Sequence, residues 1–167
     1  MDAGIVLYKL ADEFDLSRST TEERLRLQKT IYLLQACGFK IGYGFSWYKY
    51  GPYSQELVYD SYRALSAERE KYADKTADLG FSEQTGSKID HFKAMLGEAL
   101  TDLKQLELLA SVDFVRRTWL SPEATPNEVA TELRQHKTRF YNGDPIADPD
   151  IKDASATLDD LKQALAS

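Results

Sequence analysis

The sequence predicts a mainly α-helical fold, a single compact domain of about six to seven helices with a small β-hairpin or extended aromatic segment near residues 40–50. Three observations support this prediction. Apolar residues recur at three- and four-residue steps along most of the chain, as on the buried face of a helix. Capping residues precede several of these stretches. One aromatic stretch alternates with period two instead, which is the period of a strand.

Composition sets the broad class of the protein. Of the 167 residues, 43% are hydrophobic and 29% are charged, so one domain spanning residues 1–167 is expected. A single cysteine, Cys37, excludes an internal disulfide and is typical of a reducing compartment. No apolar run approaches the roughly 20 residues needed to cross a bilayer, and the first residues are too polar for a signal peptide. We therefore expect a cytoplasmic protein with no membrane partner.

The first two helices are defined by the residues at their ends. Apolar residues at near-helical spacing predict a short helix over residues 3–14. Thr20 and Glu23 form a capping-box pattern, in which each side chain satisfies a free backbone amide of the other residue. This pattern opens a helix over residues 21–37. Gly38 is expected to end that helix in a left-handed conformation.

An aromatic stretch follows the second helix. Between residues 40 and 50 large side chains alternate with period two, which favours an extended strand or a hairpin arm. Gly51 and Pro52 are expected to turn the chain, after which Ser54 caps a helix over about residues 55–65. The inward stripe predicted for this helix consists of Val58, Tyr62 and Leu65.

The second half of the chain contains the predicted central helix. Residues 66–80 are compatible with a charged helix tail and the GFSEQTG stretch that ends at residue 86 with a loop or a short strand, and we expect an exposed, mobile connection over residues 66–86. The run over 99–119 carries an apolar stripe wide enough to bury most of a helix, so it is the predicted centre. A Thr-Pro-Asn-Glu start at residues 125–128 opens a helix to about residue 137, and Asp148-Pro149 repeats this device before the last helix. A further short helix is marked by Ile89, Phe92 and Leu96.

The sequence contains no recognised catalytic motif. His91 and His136 are the only histidines, and they lie on different predicted helices without metal-ligand spacing. Cys37 ends an amphipathic helix, where a small buried apolar side chain is the ordinary role. No glycine-rich phosphate loop and no nucleophile elbow occur. We therefore predict no enzyme activity, no cofactor and no metal site.

One group of basic residues offers candidate phosphate contacts. The net charge of −6 disfavours nucleic acid as a partner, because such binding depends on a positive field. A solvated helix surface is the preferred interpretation of the group, and a favourable helix dipole explains its first two members. Nucleic acid stays open as the less favoured partner. The candidate phosphate contacts are Arg116, Arg117, Arg134, Lys137 and Arg139.

The aromatic stretch is the strongest candidate for a binding surface. Only one face of a strand can be wholly buried. If Tyr43, Phe45 and Trp47 face the core, then Tyr48 and Tyr50 face solvent, and exposed aromatics are typical of protein interfaces. The alternative is that all of them pack under the flanking helices with their hydroxyls reaching water. The candidate partner-binding residues are Trp47, Tyr48, Tyr50 and Tyr53.

Four blocks in chain order carry a resemblance to a known family. They are LQKTIYLLQ, FSWYKYGPYSQEL, LELLASVDFVRR and NEVATELRQHKTRF, followed by a terminal helix, over residues 24–165. The chain resembles the YwgA-like proteins, which are related to SocA-type and Panacea-domain antitoxins, and YKYGPYS is the most specific block. Residues 66–86 and the segment YNGDPIADPD depart from the family pattern. The resemblance implies a helical fold with a small hairpin and a protein that works by binding, because relatives neutralise toxins or deliver them to a protease.

These observations lead to three functional hypotheses. The preferred one is a non-catalytic protein-binding module, antitoxin-like or associated with phage defence, that holds a toxin or defence effector encoded next to it. The second is a nucleic-acid-binding regulator. The third is an enzyme whose site is assembled from scattered residues. The residues considered for that site are Lys29, Tyr48, Tyr53 and His91.

Overall fold

The structure is a computed structural model that describes residues 2–166. Within this range the chain forms eight α-helices and one two-stranded antiparallel sheet, so the predicted mainly α-helical fold with a small hairpin is confirmed. The helices are α1 (Ala3–Glu13), α2 (Thr21–Ala36), α3 (Gln55–Tyr62), α4 (Arg69–Thr76), α5 (Glu83–Leu96), α6 (Leu103–Phe114), α7 (Pro126–Arg134) and α8 (Asp148–Leu165). The strands are β1 (Ser46–Tyr48) and β2 (Gly51–Tyr53).

Helix α6 lies at the centre of the fold. Every residue from Leu106 to Arg116 is buried, and the helix packs against both α2 and α8. A helix that is buried on all sides needs apolar residues all round, which explains the wide stripe seen in the sequence. The predicted central helix is therefore confirmed. It begins at Leu103, later than predicted, because Gly97–Thr101 forms a separate 3₁₀ turn and Asp102 caps the new start.

The ends of α2 agree with the sequence in part. Thr20 caps the helix by accepting a 3.1 Å hydrogen bond from the Glu23 amide. The Glu23 carboxylate accepts a bond from the Ser17 hydroxyl (3.3 Å) and has no bond to the Thr20 amide, so only half of the predicted capping box forms. Gly38 follows the helix with a φ of +98°, which confirms the predicted left-handed end.

The hairpin is shorter than the aromatic stretch that predicts it. Strand β1 pairs with β2 over three residues each, and residues 40–45 form no ladder. The strand predicted over residues 40–50 is therefore correct only for its last part. Gly42 has a φ of +102°, a left-handed conformation that breaks the regular extension of a strand.

The turn of the hairpin also differs from the prediction. Tyr48 pairs with Gly51, so Lys49 and Tyr50 make the turn, while Gly51 and Pro52 belong to β2. The predicted Gly51-Pro52 turn is wrong. Gly51 instead supplies the positive φ (+99°) that lets the chain enter the second strand directly after the turn. Pro52 is tolerated because a two-stranded sheet consists of edge strands, where a missing amide is not required.

Helix α3 begins where it was predicted but faces the core differently. The Ser54 hydroxyl accepts a 3.2 Å hydrogen bond from the Leu57 amide, which confirms the cap. The predicted inward stripe is wrong, since Val58 is only half-buried and Tyr62 is exposed. Leu57 points inward instead, and the buried face lies one residue earlier. Its buried members, continuing into the π turn at Arg63–Ala67, are Leu57, Ser61 and Ala64.

Residues 66–86 contain the whole of helix α4 and the start of α5, so the helical alternative is correct for Arg69–Thr76, and most of the segment is exposed as predicted. Helix α4 packs against α1 through Tyr72, which is only 1% exposed. Gly4 allows this approach, because a Cβ at Gly4 would lie 2.8 Å from Tyr72 Cε1. Ser82 caps α5 by accepting from the Thr85 amide (3.1 Å), so the segment predicted as a loop already begins that helix. Tyr72 is the one buried aromatic side chain of this charged segment. The sequence therefore shows no repeating apolar period that would predict α4.

The last two helices cover one side of α6. Thr125 and Glu128 form the full reciprocal capping box at the start of α7, as predicted. Helix α8 begins at Asp148, but its N-cap is Ala147 and no side chain caps it, so Asp148 does not repeat the device. The apolar stripe of α8 is buried as predicted. Its members are Ile151, Ala154, Leu158, Leu161 and Leu165.

Candidate binding surface

Two polar side chains of α2 hydrogen-bond to the backbone of the hairpin and of the residue that follows it. Lys29 Nζ donates a 2.8 Å hydrogen bond to the Pro52 carbonyl. Gln28 makes two 2.9 Å bonds with the backbone of Ser54, accepting from its amide and donating to its carbonyl. All of these groups are buried, so each bond replaces water that the β2 backbone loses on folding. The position of the hairpin is therefore fixed relative to α2.

Buried charges lie beneath the hairpin. Lys29, Glu107 and Lys137 are each almost inaccessible to solvent, and Glu107 is ion-paired with Lys137. Burial lowers the pKa of Lys29 to about 7, while the nearby Glu107 carboxylate opposes this shift and Lys137 adds to it. Glu107 also accepts a 2.9 Å hydrogen bond from the Tyr141 amide. This cluster stabilises the contact between the hairpin, α6 and the segment after α7.

Aromatic packing holds β1 on the end of α6. The Trp47 ring lies 5.7 Å from Phe114, 5.2 Å from Trp119 and 6.0 Å from His136. His136 itself stacks on Trp119 at 4.0 Å. Trp47, predicted to contact a partner, thus has a structural role as an anchor of the hairpin.

The opposite side of the hairpin leaves aromatic rings exposed. Tyr48 is 55% exposed, and its ring lies 5.4 Å from the ring of Tyr53. Tyr50 is only half-buried, and it packs edge-on against Tyr141 at 5.0 Å. The candidate residues therefore separate into an anchor, Trp47, and a solvent-facing pair, Tyr48 and Tyr53.

Helix α3 extends this aromatic surface. Tyr59 is 62% exposed and Tyr62 is 53% exposed, and both lie on the solvent face that the shifted phase of α3 creates. Val58 lines the same cavity as Tyr53, and Tyr62 lies one turn further along the helix. We call Tyr48, Tyr53, Tyr59 and Tyr62 the tyrosine surface.

A small cavity opens within the tyrosine surface, between the start of α2 and α3. Its volume is about 210 Å³. Its lining consists of Arg18, Thr21, Arg24, Leu25, Leu27, Gln28, Tyr53, Val58 and Ser61. No carboxylate is among these residues, although the chain has a net charge of −6. The site is thus locally basic in an acidic protein.

Two of the predicted phosphate contacts have buried side chains. Arg116 is 5% exposed and binds the Asp159 carboxylate (2.6 Å) and the Pro122 carbonyl (2.6 Å). Lys137 is paired with Glu107. These contacts disfavour a phosphate contact for either residue, since both side chains are buried and ion-paired, and Nε of Arg116, which has no partner among the described residues, is itself buried.

The remaining basic residues do not form one patch with a free face. Arg117 pairs with Asp113 (3.2 Å), and Arg134 pairs with Asp148. Asp113 is fully buried and also binds Lys162 and the Tyr32 hydroxyl. Burial alone would raise the pKa of Asp113, but Lys162, Tyr32 and Arg117 together outweigh it, so the pKa is lowered. Arg139 donates to the Gly143 carbonyl and is exposed.

The residues considered for an enzyme site are divided between separate environments. Lys29 is sealed under the hairpin, where its amine bonds to a backbone carbonyl. Tyr48 and Tyr53 lie on the outer side, and His91 is exposed on α5 at a different cavity, which it shares with Ser82 and Ala164. Among residues 2–166, no three His, Cys, Asp or Glu side chains are placed to hold a metal ion.

Comparisons with known proteins give no match: no family model, no curated protein and no solved structure resembles the chain significantly. The similarity to YwgA-like proteins therefore stays a prediction. In the part of the chain that the structure describes, no helix has the length and apolarity required to cross a membrane.

Sequence reasoning missed three residues of the surface: Arg18, Tyr59 and Tyr62. The helical spacing of Val58, Tyr62 and Leu65 predicts that Tyr62 lies in the core. The Ser54 cap predicts where α3 begins, but it does not decide which face of the helix is buried. Nothing in the sequence indicates that Arg18 lies beside α3, since that contact depends on tertiary packing.

Proposed function

We propose that this protein is a non-catalytic binding module that holds a protein partner on the tyrosine surface. The observation that carries the proposal is a group of four tyrosine rings on the hairpin and α3, three of them exposed, beside a cavity that Tyr53 lines. Large aromatic side chains supply much of the affinity at protein interfaces, and they do so best around a pocket. Folded proteins rarely leave several large aromatic rings together in water without such a use.

The fixed position of the hairpin supports this function. Lys29 and Gln28 tie β2 to α2, and Trp47 ties β1 to α6. A surface that is already ordered loses little conformational entropy when a partner binds, which favours affinity. An antitoxin-like role, in which the partner is a toxin or defence effector encoded nearby, follows from the family resemblance and forms part of the proposal.

The nucleic-acid alternative has weaker support. Arg116 and Lys137, two of its five candidate contacts, are buried in ion pairs. The acidic net charge also opposes phosphate binding over distance. We therefore place a protein partner ahead of nucleic acid.

Site-specific photo-crosslinking tests the proposal. A photoreactive phenylalanine analogue is introduced at Tyr59 in the cells that naturally express the protein, and at Met95 as a control. Met95 is also an exposed apolar side chain, but it lies on α5, which packs against α8. We expect a discrete crosslinked protein from position 59 that position 95 does not give.

The captured protein is then identified by mass spectrometry, purified and mixed with the wild-type chain. A complex of the two purified proteins that is weakened by Tyr59→Ser, and left intact by Met95→Ser, supports the proposal. Equal crosslinking at both positions, or purified proteins that do not associate, would contradict it.

A further inference from the structure

The cavity beside the tyrosine surface is lined by a half-buried cationic side chain, Arg18, one nitrogen of which has no hydrogen-bond partner within the described residues. Nη1 of Arg18 is buried and has no hydrogen-bond partner among residues 2–166. The Arg18 guanidinium lies over the Tyr62 ring, 5.2 Å from its centroid. Buried donors in folded proteins are nearly always satisfied, and a charged donor left unsatisfied costs more than a neutral one. An anion in the cavity would supply a counter-charge to the Arg18 guanidinium, which no lining carboxylate provides.

A second arginine reinforces the positive potential. Arg24 donates to the Arg18 carbonyl (3.0 Å) and to the Thr21 hydroxyl (3.1 Å), which holds its guanidinium at the rim of the cavity. Two like charges at one cavity repel each other, and no lining carboxylate offsets them. An anion entering the cavity would be attracted by both.

The other polar groups of the cavity already have partners. Gln28 uses its side-chain amide on Ser54, and the Ser61 hydroxyl donates to the Val58 carbonyl (2.9 Å). The rest of the lining is apolar or aromatic. The site therefore offers the Arg18 and Arg24 guanidinium groups beside a wall that is largely apolar or aromatic.

We propose that this cavity receives a carboxylate side chain, glutamate or aspartate, from an acidic segment of the partner, with Arg18 as its ion-pairing residue. The proposal rests on the proposed function and names the chemistry of the partner. A carboxylate matches the planar guanidinium fork with two oxygens. A phosphate carries a larger charge, which costs more to move against a mostly apolar wall, and a phosphoserine peptide distinguishes the two ligands. The volume of about 210 Å³ suits one side chain.

The neighbouring tyrosines then define the rest of the partner segment. Tyr53 lines the cavity, Tyr48 lies beside Tyr53, and the ring of Tyr62 lies under the Arg18 guanidinium, so tyrosine rings adjoin the site proposed for the carboxylate. We therefore expect an acidic residue next to a large apolar or aromatic residue in the bound segment.

Selection from a random, unphosphorylated linear peptide library on the immobilised full-length chain tests this assignment. We expect selected peptides to share an Asp or Glu beside an apolar residue. Replacing that acid with its amide should weaken binding roughly tenfold to a hundredfold. Arg18→Gln should weaken the acidic peptide by a similar factor and leave its amide version unchanged, whereas Arg139→Gln, at an exposed arginine outside the cavity, should have no effect.

Each other outcome decides against part of the account. Peptides that require the tyrosines but show no acidic preference would overturn the carboxylate assignment and leave the binding surface intact. Peptides that bind equally to wild type and to the Tyr48→Ser/Tyr59→Ser variant, or a failure to select any peptide, would overturn both. If a peptide with phosphoserine in place of its acid binds more tightly, the cavity is a phosphate site and the carboxylate assignment is wrong.

Discussion

Lys29 Nζ donates a 2.8 Å hydrogen bond to the carbonyl of Pro52, and this lysine is only 1% exposed to solvent. The amine of Lys29 thus holds the backbone of β2 in place inside the protein. Burial disfavours the charged amine, so the folded protein gains stability relative to the unfolded chain when Lys29 is neutral, although the charged amine is the stronger hydrogen-bond donor. The hairpin that carries Tyr48 and Tyr53 therefore depends on the protonation of a residue that never reaches the surface.

The free energy of unfolding should rise with pH above 7 because of Lys29. Its pKa is about 7 in the folded protein and has its usual value of 10.5 in the unfolded chain. Between these values the unfolded chain binds more protons, so stability increases with pH, by about 1.5 kcal/mol from pH 7 to 8.5. Urea denaturation at these two pH values measures the change, and Lys29→Met should remove it. An unchanged pH dependence in Lys29→Met would contradict this explanation.

Gly51→Ala should destabilise the protein by at least about 2 kcal/mol, through backbone strain and a steric clash. The φ of Gly51 is +99°, and a Cβ there would lie 2.5 Å from Ser111 Oγ. Gly143→Ala is the matched control, because Gly143 has a φ of +92° and no atom within 4 Å of its Cβ position. Thermal or urea unfolding should show a larger loss for Gly51→Ala. Equal losses would mean that the clash with Ser111 contributes nothing.

Glu107→Gln should cost about 3–5 kcal/mol of stability, because it leaves Lys137 and Lys29 without a buried counter-charge. Glu23→Gln is the control, since Glu23 pairs with Arg26 at 3.8 Å where both side chains contact water. That change should cost less than about 1 kcal/mol. Urea unfolding at pH 7 compares the two variants, and a Glu107→Gln protein as stable as the control would refute the role of the buried cluster.

Cys37 should react slowly with thiol reagents in the folded protein. Burial first, and the Asp113 carboxylate second, raise the pKa of its thiol from 9.0 to about 12, and the residue is 9% exposed. Both effects suppress the reactive thiolate. Labelling with a chromogenic disulfide at pH 8 should be fast in urea and slow in buffer. Rapid labelling of the folded chain would show that α2 opens at this end or that Cys37 is not buried.

The sequence predicts the ends of helices better than their orientation. Ser54, Thr125 and Gly38 act through local hydrogen bonds and backbone geometry, so their roles were readable and are confirmed. The inward face of α3 was predicted one residue late, because Val58, Tyr62 and Leu65 also have helical spacing. Which of two adjacent stripes is buried depends on the neighbouring helices.

The sequence predicts the candidate site only in part, for the same reason. The period-two alternation of aromatic residues predicts that Tyr48 lies at the surface, and Tyr48 is exposed. The contributions of Arg18 and Tyr62 arise from contacts between α3 and the loop before α2, which no local pattern encodes. Arg116 and Lys137 are likewise unavailable as phosphate contacts, because they form ion pairs with Asp159 and Glu107. These ion pairs join residues far apart in the sequence, so they depend on the tertiary structure.

The affinity of the purified partner for the Tyr48→Ser/Tyr59→Ser variant tests the central claim most directly. Both side chains are exposed, so the folded structure should be retained, and Met95→Ser serves as the matched control. Isothermal titration calorimetry should show a dissociation constant raised by at least about thirtyfold for the double variant, as expected when interface tyrosines are removed. The control should bind like wild type. An unchanged dissociation constant for the double variant would mean that the partner binds elsewhere, and the tyrosine surface would not be its binding site.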